Sequence, residues 1–247
     1  MKLLKASFLI AGVLGFTVPA FAGWVQVDRE GTTTLISDGV LKGTSVGDDL
    51  YSILDAKKGN IIFIDSKRKV YSRESIDDFC EAVVAGMSKA NKKVPEENQG
   101  KQKPGKDAPQ VSFVKEGDGG VIAGYPTVKY RVLADGKLYE EVWLTTDPVV
   151  MKDLESLFRT VMKKFEKCLF SVANATDSLS LSVEDTPEYQ KMEQEGWQMK
   201  SRNYSGTGLP STYEVIKLEK KDIPASEFEI PSGYKKIPVS EMLFRVN

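Results

Sequence analysis

Short runs of alternating apolar and polar residues dominate the first part of the chain. Between residues 24 and 71, turn signals such as Asp38-Gly39 and Gly59-Asn60 separate these runs. Short alternating runs bounded by Gly, Asn and Asp are typical of antiparallel strands. We therefore predict a β meander in this segment, in which NIIFID and KVYS pair as a hairpin.

A second meander is predicted from residue 111 to residue 148. Its clearest signal is Asp135-Gly136, because a tight two-residue hairpin turn needs positive φ at both central positions. Period-two alternation then sorts the flanking residues onto two faces: Lys129, Arg131 and Glu141 on one, and Val128, Tyr130, Val132, Val142 and Leu144 on the other. We interpret the charged residues Lys129, Arg131, Glu140 and Glu141 as exposed cross-strand charges.

Two amphipathic helices are predicted. The first has Ser75 as its cap and an apolar stripe of period 3.6 at Ile76, Phe79, Cys80, Val83, Val84 and Met87. The second begins at Asp147-Pro148, a cap followed by proline in the first turn. Its stripe consists of Leu154, Leu157, Phe158, Val161, Met162, Phe165, Cys168 and Leu169. A short third helix at Thr186-Pro187, two further strands and a docked C-terminal tail complete the pattern.

The segment from about residue 88 to residue 110 differs from the rest of the chain. It is rich in Lys, Gln, Asn, Pro and Gly and has almost no large apolar residue. Such a segment buries too little surface to offset the entropy lost on ordering, so we predict a mobile polar loop. Residues 23 to 247, including this loop, are predicted to form one domain.

The first 22 residues have the pattern of an export signal. Lys2 and Lys5 precede a short apolar core, and Ala20-Phe21-Ala22 matches a small-x-small cleavage site. We expect cleavage before Gly23 and a periplasmic location. No later apolar run is long enough for a transmembrane helix, so we expect no transmembrane segment in the mature chain.

Composition narrows the function classes. The chain has no histidine, which excludes Ser-His-Asp and Cys-His nucleophile systems and the common imidazole metal sites. Its formal net charge of −1 gives no general attraction to nucleic acid. Composition leaves open an enzyme built on carboxylates, Lys or Tyr, but nothing in the sequence points to one. We therefore predict a non-enzymatic protein with no cofactor, no metal and no nucleic-acid partner.

The two cysteines, Cys80 and Cys168, lie on the stripes of different predicted helices. In an oxidising compartment an even pair favours a disulfide, which would join the two helices across a long loop. The alternative is two buried free thiols.

Several motifs together resemble an exported bacterial family, domain of unknown function 4412. They are ISDGVLKG, ILDAKKGNIIFIDSKRKVYS, GYPTVKYRVLADGKLYEEVWLTTDP and FEIPSGYKKIP, which span most of residues 30 to 238. That family in turn looks like the LolA-type lipoprotein-carrier fold. The resemblance implies an α+β class with a strongly curved antiparallel sheet, an incomplete barrel, whose concave face is covered by two main amphipathic helices.

Two functions follow from this resemblance. One is binding or carrying a lipid, a lipoprotein acyl chain or another hydrophobic partner, with the candidate ligand-facing residues Trp143, Leu157, Phe158, Val161 and Phe165. The other is a structural or protein-interaction module of the cell envelope, whose half-barrel is filled by its own side chains. An envelope protein would then be the partner.

Overall fold

The computed structural model describes residues 20–91, 109–155, 183–205 and 208–243. Twelve strands form one open sheet in the order β12-β6-β5-β4-β3-β2-β1-β11-β10-β9-β8-β7. The strands are β1 (Ala20–Asp28), β2 (Thr33–Ser37), β3 (Val40–Thr44), β4 (Leu50–Asp55), β5 (Asn60–Asp65), β6 (Val70–Ser75), β7 (Val111–Ile122), β8 (Tyr125–Ala134), β9 (Lys137–Thr145), β10 (Trp197–Asn203), β11 (Ser211–Pro224) and β12 (Lys235–Lys236).

The predicted α+β class and the LolA-like incomplete barrel are wrong. The structure is mostly β, and its α-helices among the described residues have only 3 to 16 residues. Both meanders form as predicted, but they belong to one continuous sheet because β1 pairs antiparallel with β11. This pairing joins residues that are far apart in sequence, so local alternation gave no sign of it.

The turns predicted from the sequence agree well with the turns in the structure. β5 and β6 form the predicted hairpin. At the turn between β8 and β9, Asp135 and Gly136 have φ values of 51° and 74°, which confirms the predicted turn with two positive φ angles. Glycine adopts such angles at little cost because it has no Cβ.

Helix α1 (Ile76–Asn91) begins at the predicted cap: the Ser75 hydroxyl oxygen accepts a hydrogen bond from the Asp78 amide at 3.0 Å. The helix runs through residues 88 to 91, which were predicted to be loop, and residues 92 to 108 lie outside the described part of the chain.

The later helices also start at their predicted caps. Helix α2 (Pro148–Val150) is capped by Asp147 and continues as a π-helical turn over Met151–Glu155. Helix α3 (Pro187–Glu193) is capped by Thr186 and follows a 3-10 turn at Val183–Asp185. Helix α4 (Val239–Leu243) lies near the end of the described chain. The rest of the predicted second amphipathic helix falls in residues 156 to 182, outside the described residues.

Most of the core lies on one face of the sheet, which we call the helix face. At one end, strand residues such as Val132 and Val142 pack with Val183, Tyr189 and Met192 of the α3 region. In the middle, Trp24, Ile36 and Val215 pack with Val150 and Leu154. At the other end, Leu54 packs with Ile76, Phe79 and Cys80 of α1.

The opposite face is covered in part by the C-terminal segment. Between β11 and β12 the chain crosses the sheet through a 3-10 turn at Ala225–Phe228. There Ile230 and Tyr234 pack on Ile53, Ile62 and Ile64. Lys42 and Glu227 form an ion pair at 2.9 Å between the sheet and this segment. The predicted docking of the tail on the sheet is confirmed, with β12 parallel to β6.

Candidate functional site

A cavity of about 520 Å³ opens on the helix face beside the middle cluster of the core, and we call it the lysine-rimmed cavity. Five segments meet there: the start of β1, the β2–β3 turn, the β4–β5 turn, the turn after α2 and β11, which contributes Lys220. Its apolar floor contains Trp24, Ile36 and Ala56, which are 4%, 4% and 2% exposed. Its remaining lining consists of Ala22, Gly23, Ser37, Asp38, Gly39, Lys57, Lys152, Asp153 and Lys220.

The charges around this cavity are organised in pairs. Lys220 Nζ lies 2.9 Å from Asp153 Oδ2, and the Trp24 indole N–H donates to the same oxygen at 3.1 Å. The hydrogen bond from Lys220 is the main reason that the pKa of Asp153 lies below its usual value. Lys57 pairs with Asp38 across the rim.

Lys152 forms no ion pair with a described residue. Among the described lining residues, three lysines face two aspartates, which is an excess of one formal positive charge. The cavity therefore combines an apolar floor with a cationic rim. Such a lining suits a ligand that has both an apolar part and an anionic group.

A second, smaller cavity of about 310 Å³ lies beside α1, also on the helix face. Gly43, Ser52 and Phe63 are consecutive partners across β3, β4 and β5 and form its floor. Its other lining residues are Thr32, Ser45, Leu50 and Tyr51. None of its described lining residues carries a charge, so this cavity differs chemically from the lysine-rimmed one.

Trp143 lies on the opposite face of the sheet from both cavities. Its neighbour Val142 is fully buried in the core of the helix face, and alternation along β9 therefore turns Trp143 to the other side. The strand register places Trp143 between Lys129 and Lys200, and each ammonium group lies 5.2 Å from the ring centroid. Trp143 lines neither described cavity.

Around Trp143 the strands carry a ladder of opposite charges, which we call the charged face. Lys129 Nζ lies 2.6 Å from Glu141 and 3.2 Å from Glu116. The Tyr204 hydroxyl donates to Glu141 at 2.6 Å. Burial raises the pKa of Glu141, but the hydrogen bonds from Lys129 and Tyr204 outweigh it and lower the pKa overall. Further pairs are Arg131–Glu116, Arg202–Glu141, Lys200–Glu214 and Arg29–Glu214.

Glu140 is buried, contrary to its interpretation as an exposed charge. It is 5% exposed, and the Tyr189 hydroxyl donates to its carboxylate at 2.6 Å. Alternation along β9 places Glu140 on the same side as the buried Val142, and the register pairs Glu140 with the buried Val132. Beyond this pair the β8–β9 register passes to Leu133–Leu138 and skips Tyr139, which forms a bulge. Tyr139 and Glu140, although adjacent, can therefore both reach the α3 side, where the Tyr139 hydroxyl donates to Glu184.

The resulting cluster contains three acids, Glu140, Glu184 and Glu193. Burial raises the pKa of Glu140 and of Glu193, and the charges of the neighbouring acids raise them further. Burial, followed by the hydrogen bond to Glu184, raises the pKa of Tyr139 to about 12. No set of three His, Cys, Asp or Glu residues in the described part of the chain is arranged to hold a metal ion.

The other predicted site residues can be placed only in part. Leu157, Phe158, Val161 and Phe165 lie outside the described residues. Cys80 is buried and is not a free thiol. Its predicted partner, Cys168, also lies outside the described residues, so the disulfide between them stays a prediction.

The family comparison agrees with the motifs. The family of the domain of unknown function DUF4412 matches residues 42–234, and the chain belongs to this family. A search of curated proteins gives no match. Within the described residues, no helix has both the length and the apolar character needed to cross a membrane.

The lysine-rimmed cavity was not predicted from the sequence. The sequence indicates Asp38-Gly39 only as a turn, and it indicates the β4–β5 turn only through Gly59-Asn60. The amide of Ala56 donates to the carbonyl of Gly39 at 2.9 Å, which holds the two turns side by side. The sequence does show a lysine or an aspartate at each of these turns. It does not show that the turns lie next to Trp24, because that proximity depends on the long-range pairing of the sheet.

Proposed function

We propose that this chain is a non-enzymatic, periplasmic binding protein, and that the lysine-rimmed cavity takes an amphiphile with one anionic group, such as a fatty acid or a lipid. The observation that carries this proposal is the cavity itself, with an apolar floor of Trp24, Ile36 and Ala56 and three lysines around it. The export-like first 22 residues support the location.

The size and polarity of the cavity fit such a ligand. About 520 Å³ falls within the usual range of small-molecule sites, roughly 300–1,000 Å³. Each methylene removed from water contributes about 0.8 kcal/mol, so six buried methylenes would contribute about 5 kcal/mol. An unpaired buried charge is costly, whereas an anion at the rim can pair with Lys152.

The test is a titration with two fluorescent probes, cis-parinaric acid and its methyl ester. We expect the acid to bind more tightly than the ester. In Lys152→Gln, binding of the acid should weaken several-fold, while binding of the ester should stay unchanged.

Lys221→Gln is the matched control, because Lys221 is exposed, alternates with Lys220 along β11 and does not line the cavity. If neither the acid nor its methyl ester binds, the proposed function is ruled out. Equal effects of Lys152→Gln and Lys221→Gln would show that the lysine-rimmed cavity is not where the anion binds.

The second candidate function is a protein-interaction module of the envelope. The charged face favours it, because alternating ion pairs around Trp143 present a large, ordered surface. A photo-crosslinker placed at Arg131 should then capture one specific envelope protein in cells. The same crosslinker at Lys57, beside the cavity, should not capture it.

A further inference from the structure

The predicted cleavage point lies inside β1 and at the wall of the lysine-rimmed cavity. Ala22 and Gly23, the two residues on either side of it, both line the cavity. Ala20, Phe21 and Ala22 pair with Pro224, Ile223 and Asp222, three of the nine register pairs between β1 and β11. Removing the leader would therefore remove part of a strand and change the cavity at the same time.

Gly23 is held firmly where the new amino terminus would lie. It pairs with Ser37 on one side and with Lys221 on the other. A Cβ at this position would lie 2.5 Å from the Ile36 carbonyl oxygen and 2.7 Å from a methyl group of Ile223. The close packing requires glycine here, and it fixes the backbone nitrogen of Gly23 between two neighbouring strands.

We propose that cleavage after Ala22 completes the cavity, and that the freed α-ammonium group of Gly23 binds the anionic group of the ligand. Hydrolysis of the Ala22–Gly23 peptide bond by a leader peptidase consumes one water. It leaves a carboxylate on the released Ala22 and an ammonium group on Gly23. The formal excess of positive charge around the cavity rises from one to two. This inference rests on the proposed function and specifies the ligand as an anion.

The experiment compares a chain that begins at Gly23 with a chain that begins at Ala20. We expect the chain from Gly23 to bind cis-parinaric acid about tenfold more tightly, equivalent to about 1.4 kcal/mol. Binding of the methyl ester should differ much less between the two chains. The α-amino group titrates near pH 7.7–8.0, whereas lysines stay charged there. Binding of the acid to the chain from Gly23 should therefore weaken between about pH 7 and pH 9.

Each outcome decides a different point. Tighter and pH-dependent binding by the chain from Gly23 alone supports the inference. Equal binding of the acid by both chains overturns it but leaves the proposed function standing. Binding by neither chain removes both. The intact mass of the exported protein gives an independent check, because a mature chain that starts anywhere other than Gly23 contradicts the inference.

Discussion

Glu140 and Glu141 are neighbours on β9, yet pH should affect their contributions to stability in opposite ways. Burial and the nearby acids raise the pKa of Glu140, whereas hydrogen bonds from Lys129 and Tyr204 lower that of Glu141 despite its burial. The contribution of Glu140 is therefore fully present below the unfolded-state pKa and is lost as pH rises through the folded-state pKa. The contribution of Glu141 is present above its unfolded-state pKa and is lost as pH falls through the folded-state pKa.

The perturbation is Glu140→Gln, with Glu141→Gln as its matched control. Glutamine keeps the shape and an acceptor for the Tyr189 hydroxyl but removes the titration. Linkage limits one titrating group to about 1.4 kcal/mol of unfolding free energy per pH unit. Between the ordinary glutamate pKa of 4.5 and the raised folded-state pKa, the folded protein binds more protons at Glu140 than the unfolded chain does. Wild-type stability should therefore fall relative to Glu140→Gln as pH rises from about 4.5.

Urea unfolding from pH 4 to pH 9, followed by circular dichroism, measures this difference. The free energy of unfolding of the wild type minus that of Glu140→Gln should fall with rising pH and then become constant. The corresponding difference for Glu141→Gln should instead rise with pH in the acidic range and stay constant at higher pH. If the difference for Glu140→Gln does not change with pH, or if the differences for both variants change with pH in the same direction, the assignment of Glu140 to a buried, acid-rich cluster is refuted.

Two further predictions concern covalent and backbone constraints. If Cys80 and Cys168 are bonded, Cys80→Ser should lower the free energy of unfolding by about 3–5 kcal/mol. A thiol reagent should not label the wild type when it is unfolded without a reducing agent, and labelling would contradict the bond. Gly136→Ala should cost about 1 kcal/mol in urea unfolding because φ is 74° there. Gly208→Ala, at a position where a Cβ meets nothing within 4 Å, should cost much less, and equal costs would contradict the strain argument.

Local chemistry explains which elements could be predicted from sequence. Ser75, Asp147 and Thr186 each cap a helix through contacts within three residues, and Asp135-Gly136 sets a hairpin through its own φ angles. Strand alternation likewise assigned Tyr130 and Val142 to the core face. These signals need no knowledge of the rest of the chain.

The remaining features depend on distant pairings. The contact of β1 with β11 unites the two meanders, and no local pattern encodes it. A single skipped residue in the β8–β9 register brings Glu140 and Tyr139 to the same side, which strict alternation cannot anticipate. The lysine-rimmed cavity needs both the long-range pairing and the approach of the turn after α2, so its residues could not be grouped in advance.

Two-dimensional NMR of the amide groups during a titration with decanoate tests the central claim most directly. We expect chemical-shift changes to concentrate at Asp38-Gly39, Ala56-Lys57 and Lys152-Asp153, around the lysine-rimmed cavity. The amides of Lys129 and Trp143, whose side chains lie on the charged face, serve as internal controls, and we expect their chemical shifts to remain unchanged. Changes centred on the charged face, or no changes up to the solubility limit of decanoate, would contradict the account.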